Sequence, residues 1–457
     1  MKILIVTLGS RGDVQPYLAL AVGLQQAGHS VTLAAPATFA DWIRSYGVAA
    51  EPVRFNPQAA MQQLGKGRGG LRTLTAILRL LRDGMADAQA QVWEAAQKTD
   101  YFIQSATGMG VLEAADAFGR PGAFAYLYPF APTRAWPMFW LPFRWSAGRQ
   151  YNWLTHHLML HLLWQVGGRM ANAWRRKLGL PGWRWAQDSL ARARTLGVPF
   201  LYGYSPSLLP KPADWDDHQH VTGYWFLDPE PGWQPPADLL RFLEAGPPPV
   251  YLGFGSMNAE DPERHTRLAL RALELSGQRG LLLTGWGGLA RPAEPGATDR
   301  VHSVDNVPHA WLFPRLAAVV HHGGAGTTAA TLRAGVPGIL TPFGGDQIAW
   351  ADLVGQAGVS PRATGIQRLT PERLAAAIGQ AVNDPALRAR AAALGQAIRA
   401  EDGVARAVEI IERHGAGLPA ERAGLPAERA GLPAERAGAN GKGRPGPSSQ
   451  SQAGAAP

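Results

Sequence analysis

Short apolar runs, three of the eight cut off directly by glycine, recur along the chain. Residues 3–8 (ILIVTL) form the first, and Gly9-Ser10-Arg11-Gly12-Asp13 stops it. A helical pattern over 14–27 follows, with Pro16 in its first turn and Gly28 as its terminator. Further runs lie at 31–35, 101–104, 122–126, 250–254, 281–284, 316–320 and 338–341. Strands that are apolar without alternation are buried on both faces, which predicts parallel sheets covered by helices. A Pro-rich stretch at 226–249, with one short helical pattern inside it, separates two such series. The pattern predicts an α/β protein of two Rossmann-like units, 1–225 and 250–400, joined by a linker at 226–249. A last helix is predicted within 401–415.

Three stretches depart from this scheme. Residues 56–70 read as a loop, and 71–98 carry a helical pattern. Between 133 and 185 lie eight of the sixteen tryptophans, predicting a loop to about 147 and then a helix over 151–178 that ends at Gly179. These aromatics suit three roles: lining a pocket for a flat apolar molecule, resting in a bilayer interface beside Arg144, Arg149, Arg175, Arg176 and Lys177, or packing the core. From 417 on, GLPAERA occurs three times in succession and gives way to a polar end. Gly and Pro in every unit exclude a heptad coiled coil, so 416–457 reads as a disordered tail.

The densest chemistry lies at 316–350. The apolar run 316–320 stops at His321-His322, followed by Gly323-Gly324-Ala325-Gly326, residues too small to block a ligand's approach to the backbone. Thr327 or Thr328 is placed to cap a helix that ends at Gly335, with Pro337 beyond. Strand, glycine turn and helix start together form an anion site, since free amides and the positive helix end converge. The dipole contributes only about 0.3–1 kcal/mol per charge; several amides plus a histidine make a diphosphate clamp. After the next run, the loop 342–347 ends in Asp346 and Gln347, side chains suited to sugar hydroxyls. A diphosphate clamp beside a hydroxyl grip predicts a nucleotide-sugar.

Composition narrows the alternatives. The 457-residue chain is long enough for two or three domains. It has no cysteine, which excludes disulfides, thiolate metal sites and cysteine nucleophiles and fits a cytoplasmic setting. The first apolar run is too short for a signal peptide, and no run approaches the roughly 18 residues of a membrane span. The net charge of +9 is spread among arginines rather than concentrated, so it suits an anionic membrane surface or a phosphorylated ligand better than nucleic acid. The first unit lacks G-x-G-x-x-G and an acidic residue closing its second strand at 33–35, which disfavours a dinucleotide cofactor. Asp214-Trp215-Asp216 is a formal D-x-D in a polar segment and reads as a surface turn. Adjacent histidines without carboxylates at helical spacing are a weak metal signal, and no metal is expected.

The run HHGGAGTTAATLRAGVPGILTPFGGDQ resembles the donor-binding signature of the glycosyltransferases that glucosylate sterols and decorate glycopeptide antibiotics. The opening fifty residues, from GSRGDVQPYLALAVGLQQAGHSVTL onward, resemble the acceptor domain of the same family. The resemblance implies the GT-B architecture, two Rossmann-like domains facing a cleft, acceptor side first, with the last helix crossing back. It implies an inverting, metal-independent transfer of a hexose, with glucose favoured, to a hydroxyl of an apolar acceptor: sterol-like, lipid or aromatic. Asp13 matches the family's base. Ser10 and Arg11 share its turn and can reach the donor diphosphate. His321 matches the diphosphate histidine, with His322 facing the sheet interior. Ser256, Gly323, Gly324, Ala325, Gly326 and Thr327 match phosphate contacts; Val307 and His309 match base and ribose positions, with Trp286 near the base. Asp346 and Gln347 match the sugar-hydroxyl pair. Ala329 and Gly324 stand where plant relatives carry glutamate and tryptophan, which leaves UDP and dTDP both open, UDP favoured. No cofactor beyond the nucleotide-sugar co-substrate is implied. A peripheral contact at the inner membrane face is the further expectation. A binding protein without turnover and a sugar-nucleotide epimerase of the same architecture are the alternatives.

Overall fold

The computed structural model describes residues 1–54, 84, 87–230, 232–255, 261–284, 289–291 and 300–417. The expected loop at 56–70, the first part of the helical pattern at 71–98, the repeats beyond 417, and the candidates Ser256 and Trp286 lie outside them.

The first unit contributes strands β1 (Lys2–Val6), β2 (Ser30–Pro36), β3 (Ala49–Val53), β4 (Tyr101–Gln104), β5 (Gly122–Tyr126), β6 (Phe200–Tyr202) and β7 (Gln219–Val221). They pair in parallel in the order β3-β2-β1-β4-β5-β6-β7. The second contributes β8 (Val250–Gly253), β9 (Gly280–Leu283), β10 (Val301–Val304), β11 (Ala318–His321) and β12 (Gly338–Leu340), in the order β10-β9-β8-β11-β12. Successive side chains of a strand point to opposite faces. Ile3 and Ile5 therefore join one apolar cluster while Leu4 and Val6 join another, which is why β1 needs an unbroken apolar run. β3, β6, β7 and β10 escape the sequence pattern, because β3 and β10 are only partly buried and β6 and β7 are three residues each.

In each sheet the strand order reverses once, between β1 and β4 and between β8 and β11. Ligands of doubly wound sheets bind outside the carboxyl ends of the strands at that reversal. The turns after β1 and β11 sit there.

The linker contains the helix Ala237–Glu244. The last helix, Gly403–Ala416, returns to the first sheet: Ala407, Val408, Ile410 and Ile411 pack with Leu20, Leu24 and Ile3. Tyr101 hydroxyl and His414 Nδ1 are 2.8 Å apart. Among the described residues, no helix is long and apolar enough to cross a membrane.

Candidate active site

The first wall of the cleft is the turn after β1. The helix Arg11–Gln26 starts three residues earlier than its apolar pattern predicts, because Ser10 and Asp13 close its end. Asp13 Oδ2 accepts from the Ser10 amide (2.8 Å) and hydroxyl (2.9 Å). Among the described residues Asp13 Oδ1 receives no hydrogen bond. Gly9 makes the arrangement possible: a Cβ there would lie 2.3 Å from Asp13 Oδ2. Helix cap and candidate base thus coexist in one carboxylate, through different oxygens. Burial raises the pKa of Asp13, against the lowering by the two Ser10 bonds.

The facing wall is the glycine turn after β11. Neither Thr327 nor Thr328 caps the helix that follows. Gly324 is the N-cap, the helix is Ala325–Ala334, and no side chain closes its first turn. Its first intrahelical bond runs from the Thr328 amide to the Gly324 carbonyl (3.0 Å), so the Ala325, Gly326 and Thr327 amides are the open donors of a helix start. A Cβ on Gly326 would lie 3.9 Å from the Gly12 carbonyl oxygen, so the two turns face each other closely.

The two histidines are placed opposite to expectation. His321 is fully buried, its Nδ1 accepting from the Gly323 amide (3.1 Å) and its Nε2 lying 3.5 Å from where a Gly338 Cβ would be. His322 occupies the space between the two glycine turns: Cβ atoms on Gly255 and Gly324 would lie 2.8 and 2.4 Å from its ring. His322, just past the end of β11, thus lies beside the turns after β8 and β11, while His321 is turned toward β12. Gly323, with φ of 91°, turns the chain away from the strand immediately after it.

His309 stacks on Phe313 (4.3 Å between centroids) and, beyond its burial, feels the charge of Arg11. Burial lowers His309 and His322 to about 4, so both rings are neutral at pH 7. Arg11 reaches across to Asn306 (Nη1 to Oδ1, 3.2 Å) with its guanidinium over Trp42. Val307 is 5% exposed and packs with Leu239, Tyr251 and Phe313, so its side chain is core and only its backbone is free for a ligand.

The loop after β12 completes the cleft. The helix Asp346–Gln356 opens with Asp346, whose pKa burial and then the charge of Asp13 raise to about 6. Gln347 Oε1 accepts from the Phe343 amide (2.9 Å), which holds the loop and commits one end of the side chain. Two residues absent from the sequence reading belong here. Tyr128, two residues past the end of β5, has its phenol pKa raised by burial and by the carboxylates of Asp346 and Asp13. Its position past the carboxyl end of an inner strand was the available signal. Trp350 is fully buried at the seam, edge-on to Phe139 (4.8 Å), with its indole N–H beside Asp346.

The tryptophan-rich stretch divides. Trp136 and Trp174 are core, and Trp145, Trp153 and Trp185 are exposed. Of the five cations expected at a bilayer, Arg144 pairs with Asp352 of the second unit, and buried Arg175 pairs with Glu113 and Asp116. The D-x-D segment is a surface turn with both aspartates exposed, anchored where Asp214 accepts from the Thr133 hydroxyl and Arg134 amide and where Trp215 stacks on Tyr202 (4.6 Å). A cavity of about 660 Å³ lined by Arg54, Asp87, Gln91 and Trp93 lies apart from the residues of the cleft.

Comparison with known proteins agrees with this geometry. The glycosyltransferase family 28 N-terminal domain matches residues 3–137, and the erythromycin biosynthesis protein CIII-like C-terminal domain matches 290–414. A sterol 3-beta-glucosyltransferase of Cryptococcus neoformans is 37% identical over 436 residues, and one of Emericella nidulans 35% over 426. Each alignment covers 90% of this chain, which spans only 27% and 30% of those proteins. Among solved structures, the glycotransferase of kitacinnamycin superposes with a TM-score of 0.63 at 22% identity, covering 90% of this chain and 98% of that one. A calicheamicin glycosyltransferase gives 0.61 at 18%, covering 91% and 98%.

Proposed function

We propose that the chain is a GT-B glycosyltransferase that moves a hexose, with inversion, from a UDP-sugar to a hydroxyl of an apolar acceptor. Glucose is the favoured sugar, and a sterol-like, lipid or aromatic alcohol the favoured acceptor. The observation that carries this reading is Asp13: among the described residues its Oδ1 has no partner, while the open amides of the Ala325–Ala334 helix face its turn. Oδ1 takes the proton of the acceptor hydroxyl as that oxygen bonds to the anomeric carbon. The bond from that carbon to the diphosphate breaks, and its electron pair leaves with the nucleotide. The charge that develops on the diphosphate is met by the amides of Ala325, Gly326 and Thr327, by His322, and by Arg11 from the opposite wall. We assign no step to a divalent cation. Attack from the side of Asp13 turns an α-linked donor into a β-glycoside.

Asp346 and the free amide of Gln347 are assigned to hydroxyls of the transferred sugar, and His309 with the Val307 backbone to the nucleoside. The names of the sterol glucosyltransferase relatives support the acceptor class. A peripheral contact at the cytoplasmic membrane face belongs to the same reading, since such acceptors partition into bilayers.

The test is transfer from UDP-glucose and dTDP-glucose to a panel of sterols, lipids and phenols, with products identified by mass spectrometry and anomeric configuration by NMR. A β-glycoside is expected, formed equally well with EDTA. Asp13→Asn, nearly the same shape, should cut turnover by about 10²–10⁴ while donor affinity holds. Binding without turnover, or an isomerised nucleotide-sugar in place of a glycoside, would overturn the assignment.

A further inference from the structure

The largest apolar exposure among the described residues is on the first unit, away from the cleft residues. The helix Arg149–Lys177 buries Asn152, His156, Leu160, Trp174 and Arg175 against its own domain. On its other side Leu154, Leu158 and Leu162 are 57%, 56% and 50% exposed. At 3.6 residues per turn these leucines, Arg169 and Arg176 fall within about 80° of one another, so one face is apolar first and basic afterwards. Exposed Trp153 lies on the same helix, and exposed Trp185 has its ring 6.0 Å from that of His161.

A stripe of leucines at four-residue spacing in water is a cost unless something covers it. Charge says what covers it. The helix contains no aspartate or glutamate and carries Arg149, Arg169, Arg176 and Lys177 on its surface. The nearby Asp188 is engaged by the Arg184 and Trp185 amides. An apolar stripe continued by cations and flanked by tryptophans has the composition of a helix lying in a lipid interface. The helix is too polar to cross a membrane.

We propose that the face of the Arg149–Lys177 helix bearing Leu154, Leu158, Leu162, Arg169 and Arg176 docks the protein on an anionic bilayer surface. Its opposite face packs within the tryptophan-rich part of the first unit, so docking brings that unit to the phase in which an apolar acceptor dissolves. This deepens the membrane contact of the proposed function and rests on it only for that last step.

The experiment is co-sedimentation of the full chain with vesicles of phosphatidylcholine alone and with about a third phosphatidylglycerol, at low and high salt. Wild type should bind the anionic vesicles and be released by salt, each cation near the surface contributing about fivefold. The triple variant Leu154→Ser, Leu158→Ser, Leu162→Ser should bind at least about tenfold more weakly at unchanged melting temperature, because the leucines are solvated already. Arg169→Gln with Arg176→Gln should lose the preference for anionic over neutral vesicles. Wild type left in the supernatant, or bound equally well by the triple variant, would overturn the proposal. So would a wild-type dimer in sedimentation velocity that the triple variant dissolves, since the stripe would then cover a second copy. The vesicle readout needs no substrate, so failure of the surface and failure of the transfer reaction are told apart.

Discussion

Asp346 is the residue at which burial and charge act together. Its carboxyl is raised to about 6 by burial first and by Asp13 second. An acid whose folded pKa exceeds its unfolded value binds more protons folded than unfolded, so stability falls as pH rises through that interval. Here the interval runs from the ordinary carboxylate value of 3.8 to about 6. Asp346→Asn, neutral at every pH, should therefore melt higher than wild type at pH 8, with the gap closing toward pH 4. A gap unchanged across a melting series from pH 4 to 8 would mean that Asp346 is not the titrating group. The expectation of a sugar contact at Asp346 came from its place in the 342–347 loop. Its electrostatic state did not, because Asp13 lies 333 positions away in sequence.

At the scale of elements, the glycine turn and the helix Ala325–Ala334 form one unit. The sequence order of strand, glycines and helix located it, yet the cap and the histidine were misplaced by one or a few residues. Both errors have a physical origin: a side chain's direction depends on where the strand ends, and a cap depends on which residue leaves helical geometry first. Gly324 is the point of strain, since a Cβ would meet His322 Nε2 at 2.4 Å. Gly324→Val should abolish binding of UDP and UDP-sugar while leaving the circular dichroism spectrum and unfolding midpoint near wild type. The backbone there, with φ of −62°, is one any residue can adopt, so the damage is local. Unchanged affinity by calorimetry would put the diphosphate elsewhere.

At the scale of the molecule, one apolar cluster runs through both units, and the helix Asp346–Gln356 contributes to it. Trp350 inserts between Phe139 (4.8 Å) and Tyr204 (6.5 Å) of the first unit, and Asp352 pairs with Arg144. The same helix begins with Asp346 and Gln347, so the seam and the sugar grip share one rigid element. Trp350→Ala should cost about 3–5 kcal/mol in urea unfolding, as a large buried side chain leaves a cavity. Trp350→Phe, which keeps most of the ring, should recover more than half of that loss. Equal losses for both variants would assign the effect to the indole N–H beside Asp346 rather than to packing.

The apolar runs determined eight of the twelve strands of the described residues, the two-unit α/β organisation and the turns at which the site is built, because a parallel strand buried on both faces reads as a continuous apolar run. They also located Asp13 and the 323–327 turn, since a strand's carboxyl end is readable one-dimensionally. The tertiary structure alone decided what those residues do to one another. Which histidine faces the cleft, that Val307 is core, that Arg11 crosses to Asn306, and that Asp13 and Asp346 share a field are matters of distance between remote segments. The same holds for the tryptophan-rich region. Its sequence allowed core, pocket and surface at once, and only packing against Glu113, Asp116 and Asp352 consumed Arg175 and Arg144 while leaving Leu154, Leu158 and Leu162 in water.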